Sequence, residues 1–319
     1  METVRDFVFN YKLKRVALAE LRTTLKAIRK TGAFLALSAA CAAPPTQPAP
    51  DALETLRSGS YSQDTRPLTR ATIINWNIDR GKDLDDVEEQ MRQFLPDICI
   101  FQEVDLGARR SGGIDVAKKL AEDFRMNYVF APEFEELSQG TPESPAYHGQ
   151  ALLTKLPIRS SRMLRFTHQS DFWKPRSYLS STVPLFQRRE GGRIALITEL
   201  DNGAKPLVIY NLHLESRGND RLRLAQLEEV LADAQRYSPE TSVIIAGDLN
   251  TKTAHSALIP RLREAGYRSA FGDQRIRTHL LIGALDWVFA RGPIQYGPAK
   301  VLGGVGGSDH FPILLDVHF

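Results

Sequence analysis

Short apolar runs rich in β-branched residues alternate with helical stretches over residues 71–319. The runs that predict strands are RATIINWNI, DICIFQE, QALLTKLPI, RIALITEL, PLVIYNLHL, SVIIAG, ALDWVFARG and FPILLDVHF. The stretches that predict helices are DLDDVEEQMRQFLPD, IDVAKKLAEDFRM, NDRLRLAQLEEVLADAQRY and TAHSALIPRLREAG. Because the helices alternate irregularly with the strands, and several strands follow one another across short turns, we expect mixed sheets covered by helices rather than a simple parallel α/β fold.

Composition is that of an ordinary globular protein, with 42% hydrophobic and 25% charged residues among 319. A chain of this size can bury a sizeable core without disulfides. Its two cysteines, Cys41 and Cys99, form no CxxC pair and predict neither a disulfide framework nor a zinc cluster. Residues 1–70 hold 11 Lys and Arg against 6 Asp and Glu, so the rest holds 30 basic and 32 acidic residues. This near-neutral part gives no support for a nucleic-acid partner, which usually requires a basic face.

The first 70 residues differ in composition from the rest of the chain. Basic residues over 26–30 precede an apolar stretch over 33–43, and a Pro-rich run follows. This order is typical of an export signal, and the apolar stretch is too short to span a bilayer as a helix. Leu37 lies four residues before Cys41, one more than in a bacterial lipoprotein signal, which leaves lipidation open. The alternative is an amphipathic helix on a cytoplasmic protein.

Three segments follow from these patterns. We interpret residues 1–43 as an export or lipoprotein-like signal, 44–70 as a Pro-rich linker and 71–319 as the globular domain. We expect an exported protein of the periplasm or cell envelope, which Cys41 can tether to a membrane if it is lipidated. A cytoplasmic location follows if the N-terminal segment is not a signal.

Polar side chains stand where the apolar runs end. They are Asn77, Asp79, Glu103, His213, Asp248, Asn250 and Asp286, with Asp309 and His310 just before the last strand. Asp248 and Asn250 are separated by one residue, so both face the same side of a strand end. So many polar strand ends predict one convergent site at one edge of a sheet core. Carboxylate and amide oxygens favour Mg²⁺ or Mn²⁺, and such a cation beside imidazoles suits attack of water on a phosphate ester.

Seven motifs resemble the endonuclease/exonuclease/phosphatase superfamily, in the same order as in that family and over residues 72–319. They are WNIDRG, FQEV, HGQALLTKLPI, YNLHLES, AGDLNT, LDWVF and GSDHFP. The superfamily includes deoxyribonuclease I, exonuclease III, abasic-site endonucleases, neutral sphingomyelinases and inositol polyphosphate 5-phosphatases. The resemblance implies an α/β (α+β) fold, a four-layer αββα sandwich with two packed mixed β-sheets as in deoxyribonuclease I. It also implies a phosphoric ester hydrolase that depends on Mg²⁺ or Mn²⁺.

The resemblance implies four metal ligands. Glu103 resembles the principal ligand of Mg²⁺, and Asn77 beside it would hold the metal or the substrate phosphate. Asp79 matches the acid that follows the strand-end Asn in the exonuclease III branch. Asp309 is implied as a further ligand of the metal or of water.

The catalytic roles that the resemblance implies fall on five residues. His213 would contact the phosphate, Asp248 would orient and deprotonate the attacking water, and Asn250 would position the scissile phosphate. Asp286 would hold the imidazole of His310, whose charged form would stabilise developing negative charge. Water would attack phosphorus in line, with no covalent intermediate. Whether Asp248 or His310 is the general base stays open.

Two further residues are candidate substrate contacts. Arg110, in GARRSGG, would meet a second phosphate or an acidic headgroup, with a solvated loop as the alternative. His148 either faces the pocket or is a structural histidine. Gln150 replaces the Asn of the HGNA motif found in many relatives, so a substrate contact from Gln150 is in doubt.

Three loops are expected to determine the substrate specificity. They span residues 109–111, 134–147 and 167–181. Trp173 is either a stacking platform for substrate or an anchor of its loop. His255 and His279 are weaker candidates for the site.

Three functional hypotheses remain open, because one fold and one core site serve many phosphoester substrates. The first is an exported phosphodiesterase or phosphatase that acts on a small phosphodiester or a phospholipid. The second is an endonuclease or exonuclease that acts on DNA or RNA. The third is an inactive surface-binding module of the same fold. No obligate protein partner is evident from the sequence.

Overall fold

A computed structural model of the protein describes residues 50–64, 66–170, 172, 189–203, 206–252 and 256–319. One unit, Thr46–Phe319, holds all of them. The export signal predicted over 1–43, Cys41 included, lies outside the described residues and stays a prediction. No helix in the described part of the chain is long and apolar enough to cross a membrane.

The first sheet, sheet 1, has nine strands. They are β1 (Arg57–Gly59), β2 (Arg70–Arg80), β3 (Ile98–Leu106), β4 (Asn127–Glu135), β5 (Tyr147–Thr154), β7 (Glu190–Gly191), β13 (Gln295–Tyr296), β14 (Lys300–Val301) and β15 (Ile313–His318). Their order is β1-β4-β5-β3-β2-β15-β13, with β7 beside β4 and β14 beside β15. The sheet is mixed, because β2 and β3 run parallel whereas β15 and β5 run antiparallel to them.

The second sheet, sheet 2, has six strands. They are β6 (Ile158–Arg165), β8 (Ile194–Leu200), β9 (Leu207–His213), β10 (Ser242–Asp248), β11 (Arg268–Ser269) and β12 (Asp286–Arg291). Their order is β11-β12-β10-β9-β8-β6. Here too one central pair, β9 and β10, is parallel and its neighbours are antiparallel.

In the described part of the chain, five α-helices and one short 3₁₀ helix accompany the sheets. They are α1 (Pro50–Glu54), α2 (Leu84–Phe94), α3 (Val116–Asp123), α4 (Asp220–Ala234) and α5 (Leu258–Glu264), with the 3₁₀ turn at Arg109–Ser111. The side chain of Asn219 accepts the N–H groups of Arg221 and Leu222, and thereby caps α4. Asp115 caps α3 in the same way. Local capping therefore explains where these two predicted helices begin.

Apolar contacts hold the layers together. Between the sheets lie Ile73, Ile100, Leu152 and Ile313 of sheet 1 with Leu196, Ile209, Ile244 and Val288 of sheet 2. Met91 of α2 and Leu120 of α3 pack on the outer face of sheet 1. Leu227 of α4 and Leu262 of α5 pack on the outer face of sheet 2. Each such side chain stabilises the fold by about 1.5–3 kcal/mol when it is fully buried. The order helix, sheet, sheet, helix confirms the predicted four-layer αββα sandwich.

Part of the segment interpreted as a linker, residues 44–70, is folded. Helix α1 and strand β1 both lie in it, and β1 pairs antiparallel with β4. Tyr61 stacks on Tyr128, with 6.3 Å between the ring centroids. The domain therefore begins before Ala71. Strand β4, to which this segment attaches, is itself not predicted by the sequence pattern.

Candidate active site

Three of the predicted catalytic residues stand in one row at the edge of sheet 2. Asp248, the last residue of β10, lies opposite His213 on β9 and opposite Asp286 on β12. The parallel strands β9 and β10 end at this edge, and the antiparallel strand β12 begins there. Strand register therefore brings an imidazole and two carboxylates together, and all three side chains are buried.

The facing edge of sheet 1 is irregular at the strands that carry site residues. Register shifts interrupt the β2–β3, β3–β5 and β4–β5 ladders, and the displaced residues include Glu103 and Glu133. Such bulges re-aim side chains at the rims of sheets. Asp79, Glu103 and Asn250 also have positive φ angles of 40°, 52° and 51°. Because a non-glycine residue in this conformation costs about 1–3 kcal/mol, the strain is concentrated at the site.

Close polar contacts connect the two edges. Asn77 donates a hydrogen bond from Nδ2 to Asp248 Oδ2 at 3.3 Å. His213 Nε2 lies 3.6 Å from Asp248 Oδ2 and 4.0 Å from Glu103 Oε1. His310 Nε2 lies 3.8 Å from Asp248 Oδ2. Three predicted site residues, Asn77, His213 and His310, thus surround the Asp248 carboxylate, and His213 connects this group to Glu103.

The imidazole of His310 is held by a buried carboxylate. Its Nδ1 donates to Asp286 Oδ2 at 2.8 Å, and its backbone oxygen accepts the indole N–H of Trp76 at 2.8 Å. Burial lowers the pKa of His310, but the charge and hydrogen bond of Asp286, together with the charges of Asp248 and Asp309, outweigh burial and raise that pKa to about 10. Burial, reinforced by the charge of Asp286, raises the pKa of Asp248 above its usual range. The site therefore pairs an imidazolium with a carboxyl group of unusually high proton affinity.

Asn250 is fixed beside Asp248. Its backbone N–H donates to Asp248 Oδ1 at 2.9 Å, and its side-chain Nδ2 donates to the backbone oxygen of Leu214 at 3.0 Å. The amide is therefore oriented by the residue that follows β9. Its contact with a scissile phosphate stays a prediction.

The predicted metal ligands fall into two groups. Asp79 and Glu103 are joined by Arg80, which forms an ion pair with Asp79 and lies 3.2 Å from Glu103 Oε2. Burial raises the pKa of Glu103, but Arg80 and nearby histidines hold it well below its usual range, so Glu103 is a carboxylate. These two carboxylates and the amide oxygen of Asn77 are hard oxygen donors, which fit Mg²⁺.

Asp309 lies on the other side of His310, and it is 57% exposed. Its Oδ2 lies 3.4 Å from Nε2 of His279, whose ring packs edge-on against His310 with 4.7 Å between centroids. His279, a weak candidate from sequence, thus lies next to the predicted catalytic imidazole.

Among the described residues, three sets of side chains are spaced closely enough to hold a metal ion. They are Glu103 with His148 and His213, His279 with Asp309 and His310, and Asp248 with Asp286 and His310.

The predicted substrate contacts Arg110 and His148 are engaged within the protein. Arg110 binds both oxygens of Asp105 at 2.6 and 2.7 Å and forms an ion pair with Glu136 at 3.1 Å. His148 is fully buried, and its Nδ1 lies 3.1 Å from Asp105 Oδ1. Gln150 donates to Glu133 at 3.1 Å. Contacts of these residues with substrate stay predictions. Trp173 and His255 lie outside the described residues.

Three residues at the site were missed by sequence reasoning. Arg80 joins two predicted metal ligands. Glu133 Oε2 lies 3.7 Å from His213 Nδ1 and 3.2 Å from a guanidinium nitrogen of Arg193. Arg80 stands directly after Asp79 in WNIDRG, so its motif was available as a signal. Glu133 belongs to the unpredicted strand β4, and Arg193 precedes β8 without any motif.

Comparison with known proteins identifies the family and the fold. A model of the endonuclease/exonuclease/phosphatase family matches residues 74–310. An endonuclease/exonuclease/phosphatase from Beutenbergia cavernae is 16% identical with a TM-score of 0.58, covering 79% of this chain and 72% of that one. The human Nocturnin catalytic domain with bound sulfate is 17% identical with a TM-score of 0.60, covering 86% and 99%. D. rerio TDP2 complexed with a single-strand DNA product is 19% identical with a TM-score of 0.53, covering 79% and 100%.

At these identities the solved structures establish the fold alone. None of the curated proteins compared with this chain matches it. The family match spans most of the chain and includes all five predicted catalytic residues. The chain therefore belongs to the endonuclease/exonuclease/phosphatase family, as its motifs predicted.

Proposed function

We propose that this protein is a Mg²⁺-dependent phosphodiesterase in which water attacks phosphorus directly. The observation that carries the proposal is the convergence of Asn77, Glu103, Asp248 and the Asp286–His310 pair where the two sheet edges meet. The pocket combines oxygen donors for a hard cation with a carboxyl group and an imidazolium. This combination suits hydrolysis of a phosphate ester.

Asn77, Asp79 and Glu103 would hold the metal ion, with Asp309 as a further ligand. When bound, Mg²⁺ would supply positive charge against the oxygens of the substrate phosphate. The guanidinium of Arg80 already forms ion pairs with both Asp79 and Glu103. These two carboxylates therefore accept a positive charge between them.

Asp248 is the proposed general base. His310 is held in its charged form by Asp286, so its ring nitrogens carry protons and cannot accept another. Asp248 has a raised pKa and therefore a higher proton affinity than an ordinary carboxylate. His310 stabilises negative charge that develops on the phosphate. Burial, together with the charge of Arg193, lowers the pKa of His213 well below its usual range, so His213 is a neutral partner for a phosphate oxygen.

The rim of the pocket favours a substrate with apolar groups. Leu280, Leu281 and Ile282, the apolar rim, are all exposed, Leu281 by 82%. The N–H groups of Leu281 and Ile282 donate to Nδ1 of His279 at 3.0 and 3.1 Å, which fixes them beside the catalytic imidazole. Adjacent exposed apolar side chains are typical of surfaces that bind apolar partners. We propose a phospholipid or a similar phosphodiester, which export to the cell envelope would place within reach.

A nuclease is the second candidate. TDP2 of the same fold is solved with a single-strand DNA product. Nuclease binding to a polyanion weakens steeply as salt rises, whereas binding of a single phosphodiester changes little. The salt dependence of KM therefore separates the two candidates.

The deciding experiment is a hydrolysis screen of the purified chain with Mg²⁺, Mn²⁺ or chelator. The substrates are bis-p-nitrophenyl phosphate, p-nitrophenyl phosphate, plasmid DNA and phosphocholine lipid vesicles. We expect metal-dependent cleavage of the small diester and the lipid, with a loss of about 100- to 1000-fold in His310→Ala. His318→Ala is the control, because this exposed histidine ends β15, at the end of the strand away from His310.

Salt-sensitive plasmid cleavage alone would replace the proposal with the nuclease. Inactivity on every substrate would favour an inactive binding module. Full activity of His310→Ala would contradict the assigned site.

A further inference from the structure

Two histidines below the pocket are buried with a ring nitrogen that lacks a partner. Among the described residues, His148 Nε2 and His213 Nδ1 have no hydrogen-bond partner, and both side chains are at most 2% exposed. Leaving a buried polar group unpaired costs about 1–3 kcal/mol. Because such groups are rare in folded proteins, each requires an explanation. His213 Nδ1 faces the carboxylate of Glu133 at 3.7 Å, so it is His148 Nε2 that calls for a ligand.

Glu103 lies beside both imidazoles. One carboxylate oxygen of Glu103 and one nitrogen of each histidine lie within 4.8 Å of one another. Ligands on a tetrahedral metal with bonds of about 2.0–2.2 Å are roughly 3.3–3.5 Å apart. Side-chain shifts of about 1 Å would therefore close these three atoms around one ion. Glu103 is partly exposed, which leaves a route for the ion to enter.

A carboxylate stands behind each imidazole. Asp105 Oδ1 lies 3.1 Å from His148 Nδ1, and Glu133 Oε2 lies 3.7 Å from His213 Nδ1. A histidine that binds metal almost always presents its other nitrogen to a carboxylate or a carbonyl, which fixes the ring and its tautomer. Here both rings have their Nδ1 on the carboxylate side, so Nε2 is the nitrogen available to the ion.

The two supporting carboxylates are themselves held in place. Arg110 binds both oxygens of Asp105, and Arg193 lies 3.2 Å from Glu133. Held in this way, the carboxylates orient the rings before any ion binds. A preorganised outer layer of this kind is typical of metal centres.

From these contacts we propose that Glu103, His148 and His213 form a transition-metal site. Two imidazole nitrogens and one carboxylate oxygen are a donor set that suits Zn²⁺ or Co²⁺ and disfavours Mg²⁺, which prefers oxygen ligands. The site shares Glu103 with the proposed Mg²⁺ ligands, and His213 with the proposed contacts to the phosphate. It is defined by binding alone and does not depend on the proposed hydrolysis.

Arg80 competes with the ion for Glu103. Its guanidinium lies 3.2 Å from Glu103 Oε2, so a bound metal must displace or share this contact. Removing the guanidinium should therefore tighten metal binding. Loss of His148 should weaken it, which gives two variants with opposite expected effects.

The test is a titration of the full chain with Co²⁺ in the presence of excess Mg²⁺. The readouts are the visible d–d absorption of Co²⁺ and its displacement by Zn²⁺. We expect one Co²⁺ per chain with the intense bands of a four-coordinate site that contains nitrogen ligands. We expect Asp105→Asn to weaken binding about 10- to 100-fold, and His148→Ala to weaken it at least as much. Arg80→Ala should bind more tightly, and His318→Ala, the exposed control at the end of β15, should bind as the parent does.

The proposal is overturned if the parent chain binds no Co²⁺ against Mg²⁺, or if His148→Ala binds as tightly as the parent. Should the His148 variant fail to fold, as judged by circular dichroism, Arg80→Ala decides, since unchanged or weaker binding contradicts the competition. Mg²⁺-dependent hydrolysis without Co²⁺ binding would reject this site and leave the proposed function intact. Co²⁺ binding without hydrolysis would support this site and reject the proposed function.

Discussion

At the scale of single residues, one buried carboxylate determines the charge at the centre of the pocket. Asp286 holds His310 as an imidazolium, even though burial alone would favour the neutral imidazole. The same negative charge makes Asp248 harder to ionise. Asp286 thus favours the charged form of His310 and raises the proton affinity of Asp248. The Nε2 atom of His310 and the Oδ2 atom of Asp248 lie 3.8 Å apart.

Replacing Asp286 by Asn should lower kcat/KM on bis-p-nitrophenyl phosphate by about 100- to 1000-fold, because His310 loses the carboxylate that fixes its ring and favours its charged form. Asp316→Asn is the matched control. That carboxylate binds Arg70 and Thr72 near the opposite end of β2, at 2.6 and 2.8 Å. Equal rates for the two variants would contradict the role given to Asp286.

The pH profile of kcat/KM should be bell-shaped. Activity should rise with pH as Asp248 loses its proton, and this limb lies above the usual range of Asp because the pKa is raised. It should fall near pH 10, where His310 loses its proton. In Asp286→Asn the influence that raises the pKa of His310 is gone, so the alkaline limb should move to lower pH by about 1–3 units. An alkaline limb that stays in place would show that another group titrates there.

At the scale of secondary-structure elements, close approach of two strands positions the row of site residues in sheet 2. Gly247 on β10 has a φ of +136°, and a Cβ there would lie 1.9 Å from the backbone oxygen of Leu212 on β9. Only glycine allows the two strands to pair immediately before Asp248 and His213. Gly247 therefore allows β9 and β10 to approach closely enough for Asp248 and His213 to lie side by side.

Gly247→Ala should destabilise the domain by about 3 kcal/mol, because the added methyl group meets backbone that cannot move aside. For a domain of this size the melting temperature should fall by about 6–12 °C. Gly303→Ala is the control, since its Cβ would meet nothing within 4 Å. Thermal unfolding followed by circular dichroism measures both, and equal melting temperatures would contradict the steric argument.

The apolar rim is an element whose role can be separated from the chemistry. Leu281→Ser should lower the ratio of lipid to bis-p-nitrophenyl phosphate hydrolysis about 10-fold, because it removes apolar surface that would contact the lipid. Leu95→Ser is the matched control, as Leu95 is 66% exposed but follows α2 before β3 begins. If both variants keep the parent ratio, the rim does not select the substrate.

At the scale of the whole molecule, residues 50–64 are part of the fold. Leu56 and Tyr61 pack against the core, and Ser62 Oγ donates to the backbone oxygen of Lys155 at 2.7 Å. A chain that starts at Arg66 should melt about 5–10 °C below one that starts at Thr46, since about 2–3 kcal/mol of packing is lost. Calorimetry of the two chains checks this. Equal melting temperatures would mean that the segment contributes nothing to stability.

The amino-acid sequence by itself determined the strands and helices with clear periodicity, the family, the four layers and a set of polar strand ends. These properties are local or follow from motif order, so a linear pattern carries them. The sequence pattern did not predict strand β4, because the strand is buried on both faces, shows no alternation of apolar and polar residues, and contains Pro132.

Only the tertiary structure decided which of these residues meet. Asp105 approaches His148 across 43 residues of chain, and Glu133 reaches His213 from a bulge in the other sheet. Bulges and strand register depend on the neighbouring strand rather than on the residues that shift. For the same reason the contacts of Asp105 with His148, of Glu133 with His213 and of Arg80 with Glu103 appear only in the folded chain.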